Sequence, residues 1–347
     1  MPPFRLVFLG FGNVGQALLQ LCMDKRDELR QSFGIEWSTV GIVTARHGSA
    51  IDPRGIDPDR ALAMAAAGES LAPLSRRQAP PDPLAFIHDC EADVLLENTP
   101  VNYADGQPAA AHLRAGLERG MHAITANKGP VVHAYRELTV RAAALGRRFL
   151  FEATVMGGTP IFSLWRTALL GARLLSFRGI LNSTTNLILS RMEAGASFDD
   201  AVAQAQALGI AETDPRGDTQ GWDAAIKVAA LVTVLMDQPL KPSAVPRQGI
   251  ENLQPEDIAA AARQGARWKL VCHAEQTPDG VSASVAPQMV DPADPLFSVM
   301  GTSAAVTFTT DVLGPLTIRE SESPSISGPR STAYGLLADM ISAVRGT

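Results

Sequence analysis

The first fifteen residues constrain the fold more than any other stretch. Phe4 to Leu9 reads F-R-L-V-F-L, an apolar run of strand length, and Gly10 to Gly15 follows at once as G-F-G-N-V-G. The next residues, A-L-L-Q-L-C-M, read as a helix. Strand, G-x-G-x-x-G and helix together are the setting in which that glycine spacing holds the pyrophosphate of a dinucleotide. Gly10 allows the tight turn, Gly12 lets the backbone approach the phosphates, and Gly15 lets helix and strand pack closely. Phe11, Asn13 and Val14 complete a turn whose phosphates sit on the helix N-terminus. The plain alternative is a tight turn with no ligand.

With 347 residues the chain is too long for one small core, and two domains are expected. Apolar residues make up 46% and charged residues 19%, an ordinary globular balance. A net charge of −6 with no basic run argues against nucleic acid as a partner. The three cysteines, Cys22, Cys90 and Cys272, are scattered and odd in number, and no histidines stand at H-x-x-x-H spacing. That pattern disfavours a disulfide framework and a catalytic zinc, and it fits a reducing cytoplasm. No 18-residue apolar run or signal-peptide layout appears, so no membrane partner is expected.

After the glycine turn the second strand spans Thr39 to Val43. A site preferring NAD would place Asp or Glu at its end to bind the ribose hydroxyls. Thr44 stands there, and Arg46 follows, a cation suited to a 2′-phosphate; NADP is therefore expected ahead of NAD. Arg46 as a merely solvated loop residue is the alternative. Residues 47 to 83 read as a surface excursion with a helix at Asp59 to Ala67. Ala92 to Glu97 is a strand, and Asn98, Thr99 and Pro100 leave its C-terminal end, where ligands of parallel sheets bind. A helix over Gln107 to Arg119 and a strand M-H-A-I-T lead to A-N-K-G-P. Lys128 therefore lies at the same sheet edge, either as a solvated strand end or as part of the site.

Phe149 to Thr154 reads as a strand entering V-M-G-G-T-P-I. A buried Glu152 beside carbonyls lacking regular partners is a donor set for a monovalent cation. Strand Ser176 to Leu181 then meets N-S-T-T-N, whose helix start can cap itself or bind a carboxylate. A helix at Ser197 to Leu208 leads into the densest chemistry of the chain, A-E-T-D-P-R-G-D-T-Q-G-W-D-A-A-I-K, Ala211 to Lys227. Its first half is an acidic loop and its second half, from about Trp222, an apolar helix. Asp223 and Lys227 stand four apart and share one face. Inside an apolar wall the carboxylate would hold the lysine charged while desolvation pulled its pKa down, leaving it able to donate a proton or polarise a carbonyl. On a solvated face the same spacing is only a salt bridge worth ~0.3–0.5 kcal/mol. Beyond a linker after Met236 come a helix at Pro255 to Gln264, alternating strands at Lys269 to Ala274, Val281 to Val285 and Ala304 to Thr309, and a final amphipathic helix at Ala333 to Val344.

Taken in order, G-F-G-N-V-G, N-T-P, A-N-K-G-P, E-A-T-V-M-G-G-T-P, G-I-L-N-S-T-T-N and the Ala211–Lys227 stretch resemble the homoserine dehydrogenase family over essentially residues 4 to 345. The resemblance implies an α/β protein with an N-terminal Rossmann-type parallel sheet, a second α+β catalytic and dimerisation domain, and a C-terminal helix returning to the first. The expected domains are residues 1–150, completed by 325–347, and residues 151–324. The short form, without a regulatory amino-acid-sensing ACT domain, is expected. The implied reaction interconverts L-homoserine and L-aspartate 4-semialdehyde in threonine, methionine and isoleucine biosynthesis.

By motif position, the resemblance makes Lys227 the lysine that protonates the developing alkoxide and Asp223 the group that orients it. It places Glu212 and Asp218 on the substrate amino group, Thr184 in the substrate turn, and Lys128 beside the substrate with a share of the acid role. Glu152 and the backbone of Val155, Gly157 and Thr159 fall on the family's sodium site, and a homodimer joined through the middle domain's sheet is expected. Two departures stand out: Ser183 where the family has glycine, and S-P-S-I-S-G-P at Ser323 to Pro329 where it has a glycine-rich loop near the cofactor. Proline and serine restrict that backbone. The rival readings are a related dehydrogenase acting on another small amino or hydroxy acid, and a catalytically silent nucleotide-binding protein.

Overall fold

The computed structural model describes residues 3–323, 326 and 328–346. The chain divides into two compact units, Met1–Ser163 with Ile326–Thr347, and Leu164–Ser325. Three residues of the Ser323–Pro329 stretch, Pro324, Ser325 and Ser327, lie outside the described residues, and so does the backbone path that their departure from glycine bears on.

The first unit is built on strands β1 (Phe4–Leu9), β2 (Trp37–Val43), β3 (Ser49–Ile51), β4 (Val94–Glu97), β5 (His122–Thr125) and β6 (Phe149–Leu150). Their spatial order is β3-β2-β1-β4-β5-β6. All neighbours are parallel except β3, which runs antiparallel on β2. β1, β2 and β4 read as near-continuous apolar runs because helices cover both faces of such a sheet. Helix Asn13–Asp24 and the final helix, Gly328–Arg345, pack together over β1, burying Leu18, Leu19, Leu336 and Met340 with Phe8. The final helix therefore belongs to the first unit although it is last in sequence.

Two expectations need correction here. The segment 47–83 is more than a surface excursion, since Ser49–Ile51 adds an edge strand to the sheet. The strand expected at Phe149 to Thr154 stops at Leu150, and Glu152–Thr154 is a turn of 3-10 helix. The reason is local bonding. Glu152 donates its amide to Asp339 Oδ2 at 2.7 Å, while its carboxylate accepts the amides of Phe162 at 2.8 Å and Ser163 at 2.6 Å. These bonds replace ladder partners and fold the chain into the start of helix Phe162–Thr167.

The second unit holds an antiparallel sheet of β7 (Leu174–Ile180), β8 (Arg267–Thr277), β9 (Gly280–Val290), β10 (Ala304–Thr310) and β11 (Leu316–Glu320), ordered β11-β10-β7-β8-β9. β8 and β9 are eleven residues each and pair along their full length as a hairpin, longer than the strands read from the sequence, and β11 is a strand the sequence reading does not contain. Its L-T-I-R-E pattern is a half-exposed edge, which carries a weak apolar signal. Helices Ser183–Glu193, Trp222–Leu235 and Pro255–Arg263 pack on β8. Phe308 is fully buried in β10, edge-on to Trp165 and Phe177. We expect Phe308→Ala to lower unfolding stability by ~3–5 kcal/mol, as read from denaturant titration. A loss below about 1 kcal/mol would show that this ring is not part of a packed core.

Candidate active site

In the first unit the candidate site lies at the C-terminal edge of the parallel sheet. β1 ends at Leu9 and the chain turns at Gly10 with φ +83°. A Cβ there would stand 2.6 Å from the carbonyl oxygen of Asn98, so the turn after β1 and the loop after β4 touch backbone to backbone. A Cβ on Gly15 would stand 2.9 Å from the Gly10 carbonyl, whereas one on Gly12 would meet nothing within 4 Å. The open side of the turn is therefore at Gly12. Helix Asn13–Asp24 starts there with no side chain capping its first amides. Uncapped amides at a helix start, with the positive end of its dipole, form an anion site. The Asn98 carboxamide adds to it: both its oxygen and its nitrogen are buried without a hydrogen-bond partner among the described residues. A pyrophosphate and a nicotinamide amide match these unmet groups chemically.

Asn127 joins the neighbouring loops. It donates to the carbonyls of Thr99 at 3.0 Å and Pro100 at 3.2 Å, and its oxygen caps Gly129 at 2.9 Å. Lys128 is the first residue of the helix so capped, half-buried at the end of β5. Beyond β2, Thr44 closes a tight turn onto Gly48 and Arg46 is exposed. A cleft of about 670 Å³ opens beside this turn and is lined in part by Thr44, Arg76 and Arg77. Arg76 is held by Asp52 at 2.8 Å and Arg77 pairs with Asp89 at 3.7 Å. Arg46 has no paired carboxylate among the described residues.

In the second unit the chemistry gathers at the end of β7. Lys227 and Asp223 are 14% and 13% exposed and meet at 2.6 Å. That burial removes the solvated salt bridge as an account of the pair. The Lys227 ammonium also donates to the Leu181 carbonyl at 2.7 Å. Its third N–H has no partner among the described residues. Burial pulls the lysine's pKa down, but Asp223's charge and hydrogen bond, with Asp218's charge behind them, outweigh it, and the net direction is up. The expectation of a lowered pKa is corrected on that point: Lys227 stays protonated at neutral pH.

Asn182 ties the cluster together. Its side-chain nitrogen bridges Asp218 Oδ1 at 2.6 Å and Asp223 Oδ2 at 2.9 Å, while its oxygen caps helix Ser183–Glu193 through the Thr185 amide at 2.8 Å. Thr184 is buried, and its hydroxyl reaches both Asp218 and the Ile210 carbonyl. Asp218 sits on the short helix Arg216–Thr219. Burial first, then Asp223's charge, push its carboxyl up. Gly221, at φ +78°, turns the chain from that helix into Trp222–Leu235, a conformation that L side chains rarely adopt.

The structure thus brings Thr184, Asp218, Asp223 and Lys227 together. Glu212 is exposed on the loop, and no described bond joins its carboxylate to them. The capping chemistry read from N-S-T-T-N is the Asn182 cap, but the sequence did not show that Asn182 also holds the two carboxylates. Its position as first residue after an apolar strand, ahead of the Ser-Thr-Thr run, was the available signal. Glu97, fully buried at the end of β4, was also missed. Glu152 is buried, and each of its carboxylate oxygens accepts one backbone amide, so helix Phe162–Thr167 already accounts for its burial. Among the described residues no three His, Cys, Asp or Glu side chains group as a metal site, and no helix is long and apolar enough to cross a membrane.

From these bonds we expect Asn182→Ala to leave two carboxylates facing each other without a shared donor. The KM for the small substrate should rise about tenfold, a change of roughly 1.4 kcal/mol, in steady-state kinetics. An unchanged KM would remove Asn182 from the site.

The chain is similar to known proteins along its length. Residues 10–152 match the family model of the homoserine dehydrogenase NAD binding domain, and residues 160–341 match that of homoserine dehydrogenase. The chain is 38% identical to the NAD(+)-dependent homoserine dehydrogenase of Pseudomonas canavaninivorans, covering 98% of this chain and 96% of that one. It is 34% identical to the homoserine dehydrogenase of Methanocaldococcus jannaschii, covering 97% of each. A crystal structure of homoserine dehydrogenase from Thermoplasma acidophilum superposes with a TM-score of 0.82 at 25% identity, covering 99% of each chain. With matches running through both units at this coverage, the chain belongs to the homoserine dehydrogenase family.

Proposed function

We infer that this protein is a homoserine dehydrogenase, an oxidoreductase interconverting L-homoserine and L-aspartate 4-semialdehyde. The observation that carries the reading is the buried Lys227–Asp223 pair with a free N–H on the ammonium and Asp218 at its side. An aldehyde or alkoxide oxygen accepts that third N–H. In reduction the ammonium donates its proton as negative charge develops on the oxygen. Asp223 keeps the ammonium charged and aims it, and the Leu181 carbonyl fixes the lysine's reach. Asp218, with Glu212 on the same loop, offers negative charge to the substrate's amino group, and Thr184 shapes the turn beside it. In the first unit the Gly10–Gly15 turn, Asn98, Thr99, Pro100 and Lys128 would hold the nicotinamide dinucleotide. When bound, that dinucleotide supplies or accepts the hydride. Because Lys227's pKa is raised, its acid form dominates at neutral pH and its base form becomes available only in the alkaline range. Homoserine oxidation should therefore accelerate as pH rises above neutrality, while semialdehyde reduction holds its rate there.

For the choice of dinucleotide, the P. canavaninivorans relative's name speaks for NAD. The turn after β2 speaks for the extra phosphate, since it lacks a carboxylate and exposes Arg46. In this reading Arg46 contacts a 2′-phosphate when NADP binds. A sodium ion at Glu152, Val155, Gly157 and Thr159 is part of the same proposal: the Glu152 oxygens each keep a lone pair beyond their amide bonds. A homodimer is supported by the second unit's sheet. Helices pack on β8 and β9, and half-buried Ser176, Arg178, His273, Thr307 and Thr309 line a small recess elsewhere on the sheet. A cytoplasmic location suits a biosynthetic enzyme with free buried cysteines.

The test is initial rates of oxidation of L-homoserine against a panel of small amino alcohols and hydroxy acids, with NAD and NADP side by side. Homoserine should be turned over at least about tenfold more efficiently than any other member, the low end of the discrimination that one methylene supplies. A better substrate in the panel, or dinucleotide binding with no turnover, would overturn the assignment. Arg46→Ala should lower kcat/KM with NADP about tenfold, as for loss of a charge-assisted contact, and leave NAD within about twofold. Equal losses with both would contradict the role given to Arg46.

A further inference from the structure

Glu97 closes β4 and is fully buried. Leu9 of β1 and Thr125 of β5 flank it in register. Its carboxylate is the hub of a ring of bonds. Oε1 accepts the Thr99 amide at 3.0 Å and also the Thr99 hydroxyl. Oε2 accepts the Thr125 hydroxyl at 2.9 Å. That hydroxyl in turn accepts the Asn127 amide at 2.9 Å, and Asn127 donates back to the carbonyls of Thr99 and Pro100. The ring Glu97–Thr99–Asn127–Thr125 thus ties the Asn98–Pro100 loop to the Asn127–Gly129 turn. A buried carboxylate carrying no ion pair is costly, and nothing in the reaction assigned above uses it.

We propose that Glu97 is a proton-linked positioning residue for the dinucleotide: its ionised carboxylate holds the Asn98–Pro100 loop and the Asn127–Gly129 turn in their binding arrangement, and protonation slackens both. This rests on the reading that those loops touch the cofactor. The physical reason is the strength of charge-assisted bonds. An ionised carboxylate accepts all three bonds, and each is about twice as strong as its neutral counterpart. A protonated one turns one acceptor oxygen into a donor. Either the Thr99 amide then loses its acceptor or a threonine hydroxyl must reverse, the Thr125 hydroxyl toward the Glu97 carbonyl 3.0 Å away. The remaining bonds lose their charge assistance. Burial pushes the Glu97 carboxyl up to about 7, against the lowering effect of the Thr99 and Thr125 bonds, so the change falls within the working range. No charged group on β1, β5 or the loop contributes to that shift; the groups acting on it are the neutral Thr99 and Thr125.

The experiment is calorimetric binding of NAD, whose phosphates do not titrate near neutrality, to the wild-type chain, Glu97→Gln and Asn98→Ala between pH 6 and 8.5. The wild-type Kd should weaken about fivefold from pH 8 to pH 6, roughly the loss of one charge-assisted bond's advantage. Glu97→Gln, which fills the same space and keeps an acceptor for Thr99, should bind with a pH-independent Kd near the wild-type value at pH 6. Thermal melting of the unliganded chains reports whether the variant folds. A wild-type Kd that is flat with pH, a reading needing no variant, overturns the proposal, as does a Glu97→Gln profile parallel to wild type. If Asn98→Ala weakens binding while Glu97→Gln tracks wild type, the inference about Glu97 fails alone. If Asn98→Ala binds as wild type at every pH, the cofactor reading of these loops fails with it.

Discussion

One ammonium group, with two of its three donors already committed, governs the second unit. Lys227 is bound to Asp223 on its own helix and to the Leu181 carbonyl at the end of β7. These two bonds fix where the third N–H points, and they need the helix and the strand end at one distance. The surrounding sequence serves that spacing. Gly221 sets the helix start, Ala224, Ala225 and Val228 let the helix sink into the core, and Asn182 continues from Leu181 to join Asp218 and Asp223. A buried lysine would ordinarily shed its proton; here two carboxylates reverse that tendency.

Buried charge is handled differently elsewhere in the chain. Lys269, on β8, is fully buried, and its partners among the described residues are neutral: Asn186 Oδ1 at 3.1 Å, the Val299 carbonyl at 2.7 Å and Met300 sulfur at 3.4 Å. Burial, only partly offset by the more distant Glu193, pushes it down to about 8. Glu97 has hydroxyl and amide donors but no cation among the described residues, and it is pushed up. Glu152 takes the amides of a helix start and turns the chain out of the parallel sheet. Of these four groups, Lys227 is the one that meets an opposite charge and leaves a donor unspent, which is what a proton-transfer site requires.

Much of this was legible in the residues. The strand-glycine-helix start, the edge loops after β4 and β5, and the Asp223–Lys227 pair follow from local periodicity and spacing, and local signals survive folding. What was not legible depended on partners distant in sequence. The strand expected to run through Thr154 ends at Leu150 because Asp339, 187 residues away, takes the Glu152 amide. The edge strand β3 forms because β2 offers it a ladder, not because S-A-I is a strong strand former. Asn182 and Glu97 look ordinary in sequence; their importance lies in the residues that folding brings to them. The direction of the Lys227 shift likewise depends on how closely Asp223 meets the lysine, with Asp218's charge behind it, against the pull of burial.

The central claim is that the Lys227 proton is delivered to the substrate oxygen. Single-turnover reduction of aspartate 4-semialdehyde by Lys227→Met, with dinucleotide binding measured on the same preparation, tests it most directly. A general acid of this kind contributes about 10²–10⁴-fold, so the variant should bind the dinucleotide as wild type and transfer hydride slower by that factor. Hydride transfer at the wild-type rate would contradict the account.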